Sequence, residues 1–439
     1  MWRRVAVQMS VSCVLLLACV AVSDPLEVGT DSVPVQVSAD LKVQMGRSDA
    51  PMAALRPGSG DSLGAADSFQ LYQLGLKAES QYRNLSGKVD LLTTAAPQAW
   101  VDYFTAHSLW VREASLTWSQ PWGKLSAGRL QYDFGFGVEA NADLIPQTGV
   151  RFDTRIRGFD VTWLRTDVPD GTNLNPQFVQ LFGGYAPPLS QDRIGIFRVT
   201  RDLMLRAAPT TLGLTIANTS VEHGNRHSLD LRTRFRDGRE MKAIYQTTPK
   251  DLDGRRRPDN ALMAVTGDLL LNDRWHVQAG WVETGDNYAP TLTSHLFPYG
   301  ATYDQLVFDR PLFVGCPIPT DSATNPSRAT PDYGLMMDGV ELDVRYRLTD
   351  SSSLRARYMR GDQQNGVTLG EVFYCAYEKA LGLGMTAEIG YGHVSTADPF
   401  RVGAPGYDMF RIGLTMTDLA STTKDYLRQT GYWHGQTQQ

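Results

Sequence analysis

Arginines recur two residues apart at four places in this chain: Arg155 and Arg157, Arg232 and Arg234, Arg345 and Arg347, Arg355 and Arg357. Carboxylates stand close to them at Asp153, Asp230, Glu341 and Asp343. In a β-strand, residues i and i+2 leave the same face of the sheet, so each pair forms a step of positive charge on one side. Inside a narrow pore with walls of low dielectric, such steps draw anions and repel cations. The alternative is that the arginines pair with the neighbouring carboxylates and only stiffen the wall. The residues leave both readings open, and the two can coexist.

Other chemistry is absent from the pattern. No Gly-rich loop ending in Lys-Ser/Thr appears, and no Gly-x-Ser-x-Gly elbow. His223 and His227 are four apart, but across a His-Gly-Asn-Arg-His stretch that reads as a turn and not as a helix face for metal. His227 and Ser228 are adjacent, so in a strand they face opposite ways and do not form a nucleophile–base pair. No catalytic residue, cofactor site or metal site is expected, and the chain reads as no enzyme. Arg255, Arg256 and Arg257 lie among Asp251, Asp253 and Asp259. That mixture suits a solvated loop and no nucleic-acid surface, with lipid phosphates as partners if the loop faces outward.

The elements that must position the arginines are strands. Val340, Leu342, Val344, Tyr346 and Leu348 alternate with Glu341, Asp343, Arg345 and Arg347; after a turn, Leu354, Ala356 and Tyr358 alternate with Arg355 and Arg357. Similar alternation runs through Arg274–Trp281, Leu229–Arg236 and Phe159–Trp163. About nineteen such stretches can be placed between 33–44 and 407–417, among them 177–186, 193–205 and 210–218, and helical periodicity is nearly absent before Thr417. Trp118, Trp122, Trp275 and Tyr358 fall near expected strand ends, where amphipathic rings settle at a membrane–water boundary.

Composition bounds the class without deciding it. The chain has 439 residues, 10% aromatics and a net charge of −5, values shared by membrane barrels and by soluble secreted proteins. The start reads as a signal peptide over 1–23: two arginines, the apolar stretch Val11 to Val22, and a small-residue end at Ala21-Val22-Ser23. Leu16-Leu17-Ala18-Cys19 also resembles a lipobox, so lipidation of Cys19 is the other reading. Two of the four cysteines lie in this leader; Cys316 and Cys375 remain, either joined in one disulfide or as separate thiols. After the leader no run approaches the ~18 apolar residues of a spanning helix.

Connection lengths discriminate better. Short links such as Asn84-Leu-Ser-Gly87, Gln120-Pro-Trp-Gly123, Arg157-Gly158, Asn272-Asp273 and Thr349 to Ser352 alternate with long ones at 46–67, 96–107, 132–148, 167–176, 285–336 and 396–406. In an up-and-down barrel this places short turns at one end and long loops at the other, as outer-membrane barrels do. The alternation slips over 190–240, where Arg236-Asp-Gly-Arg239 is a short turn of the wrong parity.

The stretch Arg112 to Trp118, the Pro121-Trp122-Gly123 turn, Leu125-Ser-Ala-Gly-Arg129 and Phe134-Gly-Phe-Gly137 resembles porin-like outer-membrane barrels, the broad group that includes alginate-export-type porins. The resemblance covers about fifty residues. It implies a hairpin ending in a Gly-Arg pair, then a glycine-rich loop that folds into the pore, with the next hairpin at Gly149–Arg165. The chain departs from such barrels in continuing past its last strand to Gln439.

The expectation is an all-β, antiparallel up-and-down transmembrane barrel of about 16–18 strands over 33–417, after a polar lead at 24–32 and before a tail at 418–439. It would sit in the bacterial outer membrane and passively conduct small hydrophilic, in part anionic, solutes, with a constriction at 132–148. Its partners would be outer-membrane lipid and lipopolysaccharide, those solutes, the barrel-assembly machinery and further copies of itself as a homo-oligomer. Pore-lining candidates are the eight arginines with Glu341 and Asp343. Two other functions compete: an adhesive or structural barrel that contacts envelope polymers through 285–336, and a soluble secreted carbohydrate-binding sandwich.

Overall fold

In this computed structural model, the described residues are 26–28, 31–33, 35–48, 69–95, 109–134, 140–141, 147–167, 193–205, 208–219, 225–247, 260–285, 337–363, 368–382, 384–394 and 407–416. Leu26–Val28 (β1) and Asp31–Val33 (β2) form a small antiparallel hairpin, where the sequence suggested only a polar lead. The main sheet begins with Val35–Ser48 (β3), Phe69–Tyr82 (β4), Leu85–Ala95 (β5), Leu109–Gln120 (β6) and Gly123–Leu130 (β7). Two short strands, Asp133–Phe134 (β8) and Ala140–Asn141 (β9), pair with each other in the following connection. The sheet resumes with Gln147–Ile156 (β10), Phe159–Asp167 (β11), Arg193–Leu205 (β12), Ala208–Thr219 (β13), Asn225–Arg234 (β14) and Glu240–Thr247 (β15). It finishes with Ala261–Leu271 (β16), Trp275–Thr284 (β17), Met337–Thr349 (β18), Ser352–Gln363 (β19), Thr368–Gly382 (β20), Met385–Val394 (β21) and Tyr407–Met416 (β22).

Each strand of the main sheet pairs antiparallel with its neighbour in sequence, and β22 pairs with β3, so eighteen strands close into one barrel. A soluble sandwich of two stacked sheets is therefore overturned. Closure leaves no sheet edge, which is the condition for a β-structure to cross a hydrocarbon layer.

The slip in parity near 190–240 has a physical explanation. β11 pairs directly with β12 from Asp160↔Thr200 to Asp167↔Arg193, so no strand stands between them in the barrel. The expected strand at 177–186 lies outside the described residues, whereas 193–205 and 208–219 are two separate strands. Without 177–186, the turn at 235–239 between β14 and β15 falls at the same end as those at 83–84, 121–122, 157–158 and 272–274. In that turn, slight desolvation pushes the Asp237 carboxyl up, but the Arg239 backbone N–H and guanidinium more than reverse this and hold it below the usual carboxylate value.

Cross-strand partners share a face, so register identifies the two sides of the wall. Leu116, Val150, Trp163, Phe197, Leu214, Leu229, Tyr245, Leu342, Phe373 and Ile389 are all exposed and face outward. At the short-turn end this band carries rings: Trp118 and Trp122 meet edge to face with centroids 5.6 Å apart, and Trp275 lies 4.5 Å from its cross-strand partner Tyr346. Tyr358 does not belong there; it sits mid-strand in β19 and its hydroxyl donates to Glu371. Cys375 is a free thiol in the middle of β20, between the outward residues Phe373 and Tyr377. Cys316, the other cysteine of the expected disulfide, lies outside the described residues.

The two faces differ in what they tolerate. Leu214→Arg, mid-strand and outward on β13, should cost about 2–4 kcal/mol. Gln278→Arg, whose register partners are Asp268 and Asp343 on the inner face, should be near neutral. Unfolding monitored by heat-modifiable migration in detergent checks both; equal losses would refute the assignment of faces.

Candidate functional site: the charged inner wall

The inner face carries polar and charged side chains around its whole circumference, and most are engaged with one another. On β18 and β19, Arg355 donates to Asp343 at 2.6 Å and Arg357 lies 3.0 Å from Glu341. Arg345 reaches Glu378 on β20 at 3.4 Å. Arg357 is 1% exposed, so it is enclosed wall and not a solvent-facing step. Further round, Glu388 accepts from Arg411 at 2.6 Å and from the Tyr374 hydroxyl, with the guanidinium 4.7 Å over the Tyr374 ring. A Cβ at Gly390 would collide with the Tyr374 hydroxyl, so glycine there makes room for this triad.

The other sequence candidates are dispersed. Arg232 and Arg234 both bind Glu240, at 2.7 and 3.1 Å, and Lys242 joins them at 3.1 Å. Arg155 lies 3.6 Å from Asp160, and both are well exposed near a turn. Arg157 is not a wall residue: it occupies the Arg157-Gly158 turn with φ 50° followed by 83°. Two successive positive φ values are what a two-residue hairpin demands. Arg347 stands at the end of β18 beside the next turn and is exposed. Asp153 and Asp230 pair with Arg151 and Arg198 rather than with the doubled arginines.

Those two lone arginines belong to the most organised part of the lumen. Arg198 on β12 spans Gly213 on β13 to make a bidentate contact with Asp230 on β14, at 2.5 and 2.8 Å, and also donates to Thr215 at 2.7 Å. Any Cβ at Gly213 would strike this pair. Beside it, the start of the β7–β10 connection turns inward. Tyr132 and Phe134 stack with centroids 5.5 Å apart, and they bury against Leu164, Ile194, Ile196 and Ala217 of the inner wall. Arg151 and Arg198 lie 5.7 and 6.0 Å from the Phe134 ring, within cation–π range.

At the short-turn end the charges separate across the barrel. Near β4–β6 a cavity of ≈ 580 Å³ is lined by Glu79, Lys88, Glu113, Ser86, Ser115 and Thr117, among others. There one lysine serves two carboxylates, with Lys88 Nζ 2.8 Å from Glu113 and 3.7 Å from Glu79. Almost diametrically opposite in the strand order, on β14 and β15, one carboxylate serves Arg232, Arg234 and Lys242. Among the described residues no group of side chains has metal-binding geometry.

Arg151, Arg198, Arg411, Tyr132 and the Lys88 group are not among the doubled arginines of the sequence. A single arginine inside an apolar strand, as in Ile196-Phe197-Arg198 or Phe410-Arg411-Ile412, is the stronger sign of an inward charge.

No family model matches the sequence, and no curated protein matches it. Solved structures do resemble the fold. Acinetobacter baumannii OccAB3 aligns with TM-score 0.55 and 13% identity over 87% of this chain and 99% of that one. Pseudomonas aeruginosa OpdK, an outer membrane protein, aligns with TM-score 0.54 and 13% identity over 87% and 98%. A structure of OpdK with vanillate gives TM-score 0.54 and 11% identity over 87% and 98%. At these identities the likeness is one of fold: the chain is a closed eighteen-stranded barrel of the porin-like kind.

Removing an enclosed partner and a half-exposed one should differ sharply. Arg357→Gln removes the guanidinium from a pair in which both side chains are enclosed, a loss of about 3–5 kcal/mol. Arg345→Gln acts on a half-exposed pair and should cost under about 1 kcal/mol. Urea unfolding of the two variants in matched detergent measures the difference, and equal midpoints would contradict it.

Proposed function

We propose that this chain is an outer-membrane porin that passively conducts small hydrophilic solutes, with a preference for anions. One observation carries the reading: a closed eighteen-stranded wall, apolar outside, lined with polar and charged groups within. Barrels of 16–18 strands enclose an aqueous channel, whereas smaller ones fill with side chains.

Selectivity, in this proposal, arises at two levels. Tyr132 and Phe134 narrow the lumen from the β10–β12 side, flanked by the Arg151 and Arg198 guanidiniums. Below them, the cations around Glu240 face the carboxylates around Lys88 and set a transverse field. Such a field orients a dipolar solute and holds an anion toward one wall. The vanillate found with OpdK is an aromatic carboxylate, an anion of the class that the cations around Glu240 would attract. The doubled arginines of β18 and β19 act here as braces, since each of Arg345, Arg355 and Arg357 already has a carboxylate.

The refolded protein should give stepwise conductance in planar bilayers, with reversal potentials on the anion side in a KCl gradient. Arg232→Gln with Arg234→Gln should move the reversal potential toward cations, and Phe134→Ala should raise the unit conductance. Absence of channels would defeat the porin reading, and an unchanged reversal potential would remove the role of the Glu240 cluster.

A further inference from the structure

The outward face is apolar over most of its height, but at the long-connection end of β7, β10, β11 and β12 it is cationic. Arg129 faces outward, because its register partners Ala114 and Thr148 are exposed outer-face positions. Arg165 is exposed in the same sector, opposite Val150 and Gly195. Neither cross-strand position supplies a carboxylate. Asp167 is the acid of this patch, and Arg193 holds it at 3.3 Å. Arg129 is half-buried, and its Nε meets no acceptor among the described residues. A guanidinium pressed against an apolar wall, with no carboxylate against it among the described residues, carries a desolvation cost that an external anion would relieve.

The surroundings narrow the kind of anion. Immediately toward the middle of the wall, Trp163 and Phe197 form an exposed cross-strand pair that suits acyl chains. Beside Arg165, a Cβ at Gly195 would meet nothing within 4 Å, which leaves an open notch in the outer face. Across that notch stands the Asn218 carboxamide, an outward hydrogen-bonding group. The two arginines lie two strands apart, roughly 10 Å across the sheet. On the far side of the barrel the outward charges at this end are instead matched internally, Arg360 with Glu371 at 3.9 Å and His393 with Asp408 at 2.8 Å.

We propose that this patch binds the phosphorylated headgroup of lipopolysaccharide in the outer leaflet, with Arg129 and Arg165 as phosphate ligands and Trp163 and Phe197 against the acyl chains. The assignment rests on the outer-membrane reading for its orientation, since long connections face the outer leaflet in such barrels. Charge-assisted hydrogen bonds from guanidinium to phosphate are among the stronger polar contacts available at a lipid interface.

The test uses the full refolded chain in detergent and native mass spectrometry with three probes: bisphosphoryl lipid A, dephosphorylated lipid A and phosphatidylglycerol. The bisphosphoryl form should bind at least tenfold more tightly than either other probe. Arg129→Gln with Arg165→Gln should abolish that preference, Arg129→Lys with Arg165→Lys should keep most of it, and Arg201→Gln should leave it unchanged. Arg201 is the control because it lies over Phe159 in the wall, 4.7 Å from the ring, toward the short-turn end. Equal binding of dephosphorylated lipid A, equal binding of phosphatidylglycerol, or an unaffected double Gln variant would each overturn the assignment. If the Gln variant does not fold, the phosphate dependence of the wild-type protein decides alone. Conductance of the same preparations separates the two readings: channels without phosphate-dependent binding sink only this inference, and no channels sink the one beneath it.

Discussion

Everything in this molecule depends on closing the sheet. In a hydrocarbon layer an unpaired backbone N–H or C=O has no water to turn to, so a β-structure can cross only if its last strand returns to its first. Here that seam runs from Met409↔Ser48 to Met416↔Leu41. Once it is made, the period-two geometry of a strand leaves no freedom in the faces: alternate residues must look at lipid or at the lumen. The outward set Leu214, Leu229 and Leu342 and the inward set Asp230, Glu341 and Asp343 are two consequences of one register.

Closure also creates the electrostatic problem that the lumen solves. Half of each strand must be polar, and a narrow wet interior lined with unmatched charge would repel itself. Most of the inner charge is therefore balanced locally, between adjacent strands for Arg355 with Asp343, Arg357 with Glu341 and Arg411 with Glu388, and across one intervening strand for Arg198 with Asp230. Glycines allow the tightest of these. Gly213 and Gly390 carry no side chain at the positions where Arg198–Asp230 and Tyr374 cross the wall. Against that background, two clusters depart from one-to-one pairing among the described residues, Glu240 with three cations around it and Lys88 with two carboxylates. In the proposed pore such clusters would set the selectivity, because matched pairs present little net field to a passing ion.

Strand positions were legible because alternation follows directly from the two solvents of the wall. The hairpin β18–β19, with Val340 to Tyr358, could be drawn almost to the residue. Individual roles were less legible. Whether Arg345 and Arg347 form a step depends on where the turn begins, and Arg347 proves to lie at the strand's end. Arg157 looked like the second rung of a ladder but is consumed by a left-handed turn. Pairing is a property of neighbouring strands: Arg198 and Asp230 stand 32 positions apart and meet only because β13 places a glycine between them. No local spacing encodes that contact.

One stretch, 194–197 on β12, blurs the two-faced pattern for a structural reason. Both of its faces are apolar, because Phe197 faces outward while Ile194 and Ile196 face a lumen occupied by Tyr132 and Phe134. A strand buried on both sides loses its alternation and reads as a continuous apolar run. Ile194-Gly-Ile-Phe therefore carries little trace of its register, although the sequence places the strand itself at 193–205; the parity of the connections slips because of the strand expected at 177–186. The loss of pattern is itself informative. In a barrel whose lumen is wet, an apolar run within one strand means that something apolar rests on the inner wall there. Here it is the aromatic pair, and the same strands carry on their outer face the cations at Arg165 and Arg193. The sector that departs furthest from the ideal two-faced strand is thus the one where both faces of the wall carry more than the fold alone requires.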